Sequence, residues 1–394
     1  VRRQHLCNCL LLDPEAPEPR PGSLLVEAGR IAARLAPDSA TPASAARIDL
    51  AGRALAPGFL DLHYHGAMVF RDSPGLSAAL ARDAASLLRH GTTGFLATTV
   101  AEPAPQLEAR LTALARAVGE SRAPGAAVLG IHLEGPWISP AAAGAQPPRG
   151  MRGFEPREGE ELLRRAEGLV RLVTLAPEVE GAPALLEWLV THSVIAALGH
   201  SLADAAQLES AVRRGARHVT HLFNAMGDLH HRRSGLAVAA LADDRLSCDL
   251  ICDGVHVDPL WTRIAARAKR DGLLLITDRV EPAEPGSASG FGSGPLRREG
   301  GAWRLSDGRL AGSCLTLDAS IRNAQAFGAL TRLEAVAACT LRPARLLGIE
   351  AQRGSLRVGA CADFAVLDVD DRVVETWIAG RRVFPSDALG AAGP

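Results

Sequence analysis

Residues 60–66 read LDLHYHG, and four later stretches are built alike: GIHLEGP (130–136), AALGHS (196–201), HVTHLFN (218–224) and LLLITD (273–278). Each is a short apolar run with a metal-type side chain towards its downstream end: His63 and His65, then Glu134, His200, His221 and Asp278. Buried strands that give way to loops at such residues suit a parallel barrel, because side chains at the carboxyl ends of its strands converge on one mouth. Between these runs lie amphipathic stretches such as SAALARDAASLLRH (77–90) and DAAQLESAVRRG (204–215), the mark of parallel βα units. Eight runs are expected as strands: 54–65, 91–100, 128–136, 170–178, 193–200, 216–223, 248–257 and 272–278. Eight βα units close a (β/α)8 TIM barrel. A doubly wound open sheet is the alternative, and the count with its strand-end polar residues favours closure.

Outside this middle the periodicity shortens. Segments 23–35 and 46–58 alternate apolar and polar positions around Gly29 and Gly52, and 353–383 does so between Gly354, Gly359 and Gly380. The two ends of a chain often lie close together. The expectation is an α/β chain with a barrel over 54–350 and a small β-sandwich made jointly by 1–53 and 351–394. Two stretches rich in Gly and Pro, 139–160 and 281–301, are expected as long loops over the mouth, the second as a lid or an unstructured segment.

The 394 residues are 47% hydrophobic and 22% charged, enough for a sizeable core in a soluble protein. A net charge of −1 provides no global field for nucleic acid or anionic membrane, so an anionic ligand must be held by local groups. No run approaches the roughly 18 apolar residues of a membrane span. The apolar stretch near the N-terminus is stopped by Asp13 and Pro14, which makes a poor signal peptide. The seven cysteines form an odd set without paired metal spacing and are expected as reduced thiols of a cytoplasmic protein. Lys269 is the single lysine, in the helix-like 261–272, so a carboxylated lysine bridging two metals is excluded unless Lys269 supplies it.

His63 and His65 are two apart, so on a strand they face one side, as a ligand pair must. Taken alone, that pair reads equally well as structural, and an isolated His200 or His221 reads more readily as structural than as a ligand. Together, Glu134, His200 and His221 supply a catalytic metal set with one position open for water. Asp278 follows apolar residues, and a buried carboxylate needs a cation, a donor or a chemical role. Beside activated water it serves as general base and then as acid; a helix-capping aspartate is the structural alternative. Nitrogen and carboxylate ligands suit zinc or iron, with cobalt and manganese also compatible, as one or two ions.

In the order HLEGPW, LGHS, THLFNAM, DGVHV, LITD and LAGS, the chain resembles the N-acetylglucosamine-6-phosphate deacetylase family of the amidohydrolase superfamily, from about residue 20 to about 380. The resemblance implies a barrel with a split sandwich, an amino-sugar phosphate substrate, metal held by Glu134, His200 and His221, and Asp278 as acid/base. His63 and His65 match members that keep a second metal. Ala145, Gln146, Asn224, Ala225 and His256 match substrate contacts, and Leu310, Ala311 and Gly312 match a loop closing over the acetyl group. Arg232 matches an arginine reaching the phosphate of a neighbouring subunit's substrate, which implies a homodimer. A related sugar, N-acetylgalactosamine 6-phosphate, and a catalytically silent sugar-phosphate binder are the competing readings. The chain departs from the pattern at Gln146, where a histidine is usual, at Arg233 and Ser234, which replace Glu-Pro, and at Arg279, where a small residue is usual. A cation at 279 is expected to favour the ionised form of Asp278 and weaken its later role as acid.

Overall fold

The computed structural model describes residues 3–70, 73–120, 125–281 and 294–385. The chain begins in a small sheet with β1 (Arg3–Leu11), β2 (Arg20–Glu27), β3 (Arg30–Leu35), β4 (Ala45–Asp49) and β5 (Ala54–Pro57). β1, β2 and β3 form an antiparallel meander, while β4 and β5 lie parallel to β1 on its other side. Cys7 and Cys9 sit on β1 as separate free thiols, donating to the carbonyls of Ile48 and Gly22.

The run 54–65, expected as one strand, is two. β5 stays in the small sheet, and β6 (Phe59–Gly66) opens the barrel. The switch falls at Gly58, where a Cβ would collide with the Thr93 side chain. Then come β7 (Thr92–Thr98), β8 (Ala127–Glu134), β9 (Val170–Leu175), β10 (Ile195–Leu198), β11 (His218–Val219), β12 (Ser247–Ile251) and β13 (Leu273–Ile276). Each pairs parallel with its predecessor. The helices between them are α1 (Ser73–Leu87), α2 (Ala104–Glu120), α3 (Pro156–Arg165), α4 (Ala182–Thr191), α5 (Ala205–Arg213), α6 (Leu236–Ala242) and α7 (Pro259–Lys269).

Closure is made by the last strand after a kink. Beyond β13 the chain turns at Thr277 and Asp278 and resumes as β14 (Arg279–Val280), which pairs parallel with β6. The Asp278 N–H donates to the His63 carbonyl at 2.9 Å, and the Thr277 hydroxyl donates to Asp61 Oδ2 at 2.6 Å. Burial pushes Asp61 up to about 6, with the Thr277 and His63 donors opposing. The barrel interior is apolar low down, around Leu96, Leu172, Ala197, Leu274 and Ile276. Further along the same strands it turns polar, at Thr98, Thr174 and Asp278, so the sequence of each strand grades the interior from core to site.

Two loop expectations need correction. The 139–160 stretch ends in a helix, since α3 starts at Pro156 with proline in its first turn, where its missing N–H costs nothing. Of 281–301, residues 282–293 lie outside the described residues, but Arg297–Glu299 is β15, the first strand of an antiparallel unit with β16 (Ala302–Arg304) and β17 (Leu310–Ser313). β17 lies beside β14, so this unit stands against the barrel mouth. Helices α8 (Leu317–Ala326), α9 (Arg332–Cys339) and α10 (Leu341–Leu347) follow.

The chain then returns to the small sheet as β18 (Phe364–Leu367), β19 (Val373–Ile378) and β20 (Arg381–Phe384). β18 pairs antiparallel with β5, giving the order β20-β19-β18-β5-β1-β2-β3. Ile31 also exchanges hydrogen bonds with Gly359 and Ala360, so the sheet folds round on itself. Leu6, Leu24, Ile31, Phe364 and Trp377 from both chain ends fill its core. The architecture is the expected barrel with a small β unit from the two termini. Lys269 acts as a structural tie. Its ammonium is buried at the end of α6 and donates to the carbonyls of Ala240 and Asp243 at 2.9 and 2.6 Å.

Candidate active site

Five strand ends deliver one cluster. Glu134 closes β8, and its Oε1 lies 3.0 Å from Nε2 of both His200 and His221 and 3.4 Å from Nε2 of His63. Its other oxygen, Oε2, lies 3.2 Å from His65 Nε2. Asp278 Oδ1 faces the same pair, 3.4 Å from His63 Nε2 and 3.3 Å from His65 Nε2. The six side chains expected from sequence are thus together. Five of them form two overlapping ligand sets, His63 with His65 and Glu134, and Glu134 with His200 and His221, sharing the glutamate.

The donor chemistry fits a divalent cation. The Nε2 atoms of His200 and His221 stand 3.1 Å apart and those of His63 and His65 3.3 Å apart, separations at which facing lone pairs repel unless a cation or a proton lies between. His200 Nδ1 is 3.0 Å from the Ala142 carbonyl and His65 Nδ1 is 3.2 Å from the Thr98 carbonyl. Those carbonyls can only accept, so Nδ1 carries the proton and the Nε2 lone pair is left to face the centre. Where no metal ion balances the carboxylates, protons on the imidazoles take its place. Burial works against a charged His65, but hydrogen bonds to Asp278 and Glu134 outweigh it and carry the imidazole up to about 10. Burial likewise opposes charge on His221, and the Glu134 hydrogen bond raises it to about 9. Burial favours neutral Glu134, yet His63 and its other imidazole neighbours hold it well below the carboxylate range.

Local backbone explains the aim of these groups. His63 and His65 belong to a continuous strand. His200, His221 and Asp278 each lie just beyond a strand in the left-handed region, at φ 47°, 33° and 49°. That conformation costs an L-residue roughly 1–2 kcal/mol, and such strain gathers where the surroundings over-determine it. The side chain of Asp278 is 14% exposed while that of Glu134 is 2% exposed, so of the two carboxylates Asp278 is the more open to the pocket.

The cluster forms the floor of a cavity of about 280 Å³ whose walls include Ala145, Gln146, Asn224, Ala225, His256, Leu310 and Gly312, all expected from sequence. His256 is held by Asp253, with Nδ1 2.6 Å from Oδ2. Gln146 is buried; its Oε1 accepts from the Ala101 N–H at 2.8 Å and its Nε2 donates to Glu134 Oε2. Three expected residues stand differently. Ala311 is off the cavity wall because strand alternation on β17 sends it the other way, into an apolar cluster with Val69, Val100 and Val280. Arg232 is exposed on the turn before α6, outside this wall. Arg279 turns away from Asp278: its Nε donates to Glu281 at 2.6 Å and its Nη1 to the Cys314 carbonyl at 2.8 Å. Asp278 is lowered by His63 and His65 against the push of burial, so the expected influence of the adjacent arginine is corrected.

Gly144, Phe223 and Arg309 also line the cavity and were not expected. Arg309 links two mouth segments, donating from Nε to Asp307 at 2.8 Å and from Nη1 to the Gly144 carbonyl. Its position between hairpin strands gave no periodic signal in the sequence.

A parallel barrel whose strand ends gather one glutamate, four histidines and an aspartate defines a metal-dependent hydrolase. The chain belongs to the amidohydrolase family, whose model matches residues 54–383. Among curated relatives, an N-acetylglucosamine-6-phosphate deacetylase of Danio rerio is 37% identical over 351 residues, covering 86% of this chain and 86% of that protein. An N-acetylgalactosamine-6-phosphate deacetylase of Escherichia coli O157:H7 is 36% identical over 331 residues, covering 83% of this chain and 87% of its own length. Among solved structures, an N-acetyl-D-glucosamine-6-phosphate deacetylase mutant of Mycobacterium smegmatis, in complex with N-acetyl-D-glucosamine-6-phosphate, superposes with a TM-score of 0.88 at 35% identity, covering 97% of this chain and 100% of that one. Among the described residues no helix is long and apolar enough to cross a membrane.

Proposed function

We propose that the chain hydrolyses the acetamide of N-acetyl-D-glucosamine 6-phosphate, releasing acetate and D-glucosamine 6-phosphate, as a cytoplasmic enzyme of amino-sugar catabolism. The observation that carries this reading is the meeting of Glu134, His200, His221 and Asp278 on the floor of one cavity. Glu134, His200 and His221 would hold a divalent metal, zinc or iron first, and His63 and His65 with the second oxygen of Glu134 would hold another. Bound there, the metal polarises the acetyl carbonyl and lowers the pKa of water from about 15.7 towards about 7. Asp278 takes a proton from the attacking water and afterwards delivers it to the amide nitrogen, so that the amine leaves uncharged. His256 and Asn224 contact the sugar phosphate, and Leu310 and Gly312 border the acetyl group. The catalytic unit is the barrel that opens at Phe59, with the small sheet built from 3–57 and 364–384 beside it. In a homodimer, the exposed Arg232 reaches the phosphate in the neighbouring site.

N-acetylgalactosamine 6-phosphate is the second reading, favoured by the 36% identity to a relative of that name. Acetate release should be measured on both phosphorylated sugars and on their unphosphorylated forms, after loading with zinc, iron, cobalt or manganese in turn. The expected result is the highest kcat/KM on the glucosamine phosphate. A higher value on the galactosamine phosphate selects the second reading, and no release with any metal revives a silent binding protein.

A further inference from the structure

Beneath the cavity floor, Asp249 and His218 form a buried pair that the chemistry above does not use. Asp249 is 1% exposed and His218 is fully buried. Asp249 points into the barrel from β12, and its Oδ2 lies 3.0 Å from His218 Nε2 on β11. The other imidazole nitrogen, Nδ1, lies 2.8 Å from the Ser247 hydroxyl. The remaining carboxylate oxygen, Oδ1, accepts the backbone N–H of His221. The main chain of Asp249 joins in, its carbonyl accepting from Leu222 N–H at 2.9 Å.

This arrangement answers a local difficulty. β11 is two residues long, and its ladder with β12 ends at Val219 and Cys248. Two residues later His221 must turn into the left-handed region, at φ 33°, to bring its ring onto Glu134. A buried N–H at such a turn needs an acceptor, and a side chain provides it where the ladder has stopped. Asp61 does the same across the barrel, accepting from the N–H groups of His63 and Thr277 at 3.3 Å each.

We propose that Asp249, steadied by His218, is a positioning residue that holds the backbone of His221 in the turn that aims its imidazole at the metal. This rests on the reading of Glu134, His200 and His221 as ligands. Its role is that of an acceptor, so an amide can replace it: the Asn oxygen accepts from His221 N–H, its NH2 donates to His218 Nε2, and the other imidazole nitrogen then donates to the Ser247 hydroxyl, which serves in either sense.

The test is zinc binding by stripped protein, read in competition with a chromophoric chelator, for wild type, Asp249→Ala and Asp249→Asn, with melting curves alongside. Groups that orient a ligand from outside typically change metal affinity by about 10- to 100-fold. Asp249→Ala should lose affinity in that range, with kcat at saturating zinc falling and KM nearly unchanged, and Asp249→Asn should recover most of both. Wild-type affinity and kcat in folded Asp249→Ala overturn the proposal, as does an Asn variant no better than Ala. Should Asp249→Ala not fold, His218→Phe tests the same contact one bond removed. It is expected to weaken zinc binding by a smaller factor, and unchanged affinity in that variant overturns the proposal. A wild-type protein that binds no zinc sinks the ligand reading itself. Wild type and Asp249→Ala binding equally well sink only the positioning role.

Discussion

The floor of the cavity and its rim differ in how closely their side chains are already gathered. At the floor, four imidazoles and Glu134 are between 0% and 6% exposed, with their donor atoms already within reach of one another. At the rim, Arg232 stands exposed on a turn away from the wall, and the Arg309 guanidinium is occupied by Asp307 and the Gly144 carbonyl. The groups for bond cleavage are prearranged inside the chain, where burial strengthens each electrostatic contact. Under the proposed function, recognition of the phosphate falls to His256 and to Arg232 of a second copy.

The contrast breaks first at Asp278. Asp278→Asn removes the proton carrier but keeps the shape, so kcat should fall by roughly 10²–10⁴-fold, with metal content unchanged by elemental analysis. Near-normal turnover would dissolve the distinction between the two carboxylates of the floor. Arg232→Ala addresses the rim. Loss of a charged hydrogen bond costs about 1.5–3 kcal/mol, so KM for the phosphorylated sugar should rise by roughly one to two powers of ten, while kcat and the unphosphorylated sugar are untouched. A variant indistinguishable from wild type would return anion recognition to the chain alone.

A smaller effect sharpens the floor's electrostatics. His65 and His221 are raised to about 10 and about 9 in the fold. A histidine raised on folding contributes its stabilisation fully below its unfolded value of about 6.5 and loses it as pH climbs through the folded value. Metal-free protein should therefore melt several degrees lower at pH 10 than at pH 6.5, and metal-loaded protein should lack that drop, since the ion takes over from the protons. A flat metal-free profile would contradict the charge balance assigned to the floor. Smallest of all, Arg279→Ala should alter kcat by less than about twofold, because its guanidinium faces Glu281 and exposed or half-buried pairs are worth little.

Much of the floor was legible because the barrel turns chain order into geometry. A His-x-His on a strand faces one way, and His200, His221 and Asp278 each mark the place where an apolar run ends. The supports were not. Asp249 and Asp61 lie inside apolar runs, where a single acid reads as an interruption and only the neighbouring N–H groups give it a purpose. The 54–65 run hid a change of sheet because every residue from Ala54 to Leu60 is apolar, proline or glycine, and hydropathy does not distinguish one core from another. Ala311 was misplaced for a simpler reason: LAGS is a strand, so its second residue faces opposite to its first and third. The 297–313 hairpin unit was obscured by Gly and Pro around it, which read as loop.

The left-handed turns at positions 200, 221 and 278 carry a practical warning for anyone improving this protein's heat tolerance. Glycine at any of the three would relieve roughly 1–2 kcal/mol of backbone strain, but it would strip a partner from a buried charged cluster, a loss of about 3–5 kcal/mol. Relaxing the backbone there would weaken the fold and delete the chemistry together, which makes these three positions the ones to freeze before a library is drawn.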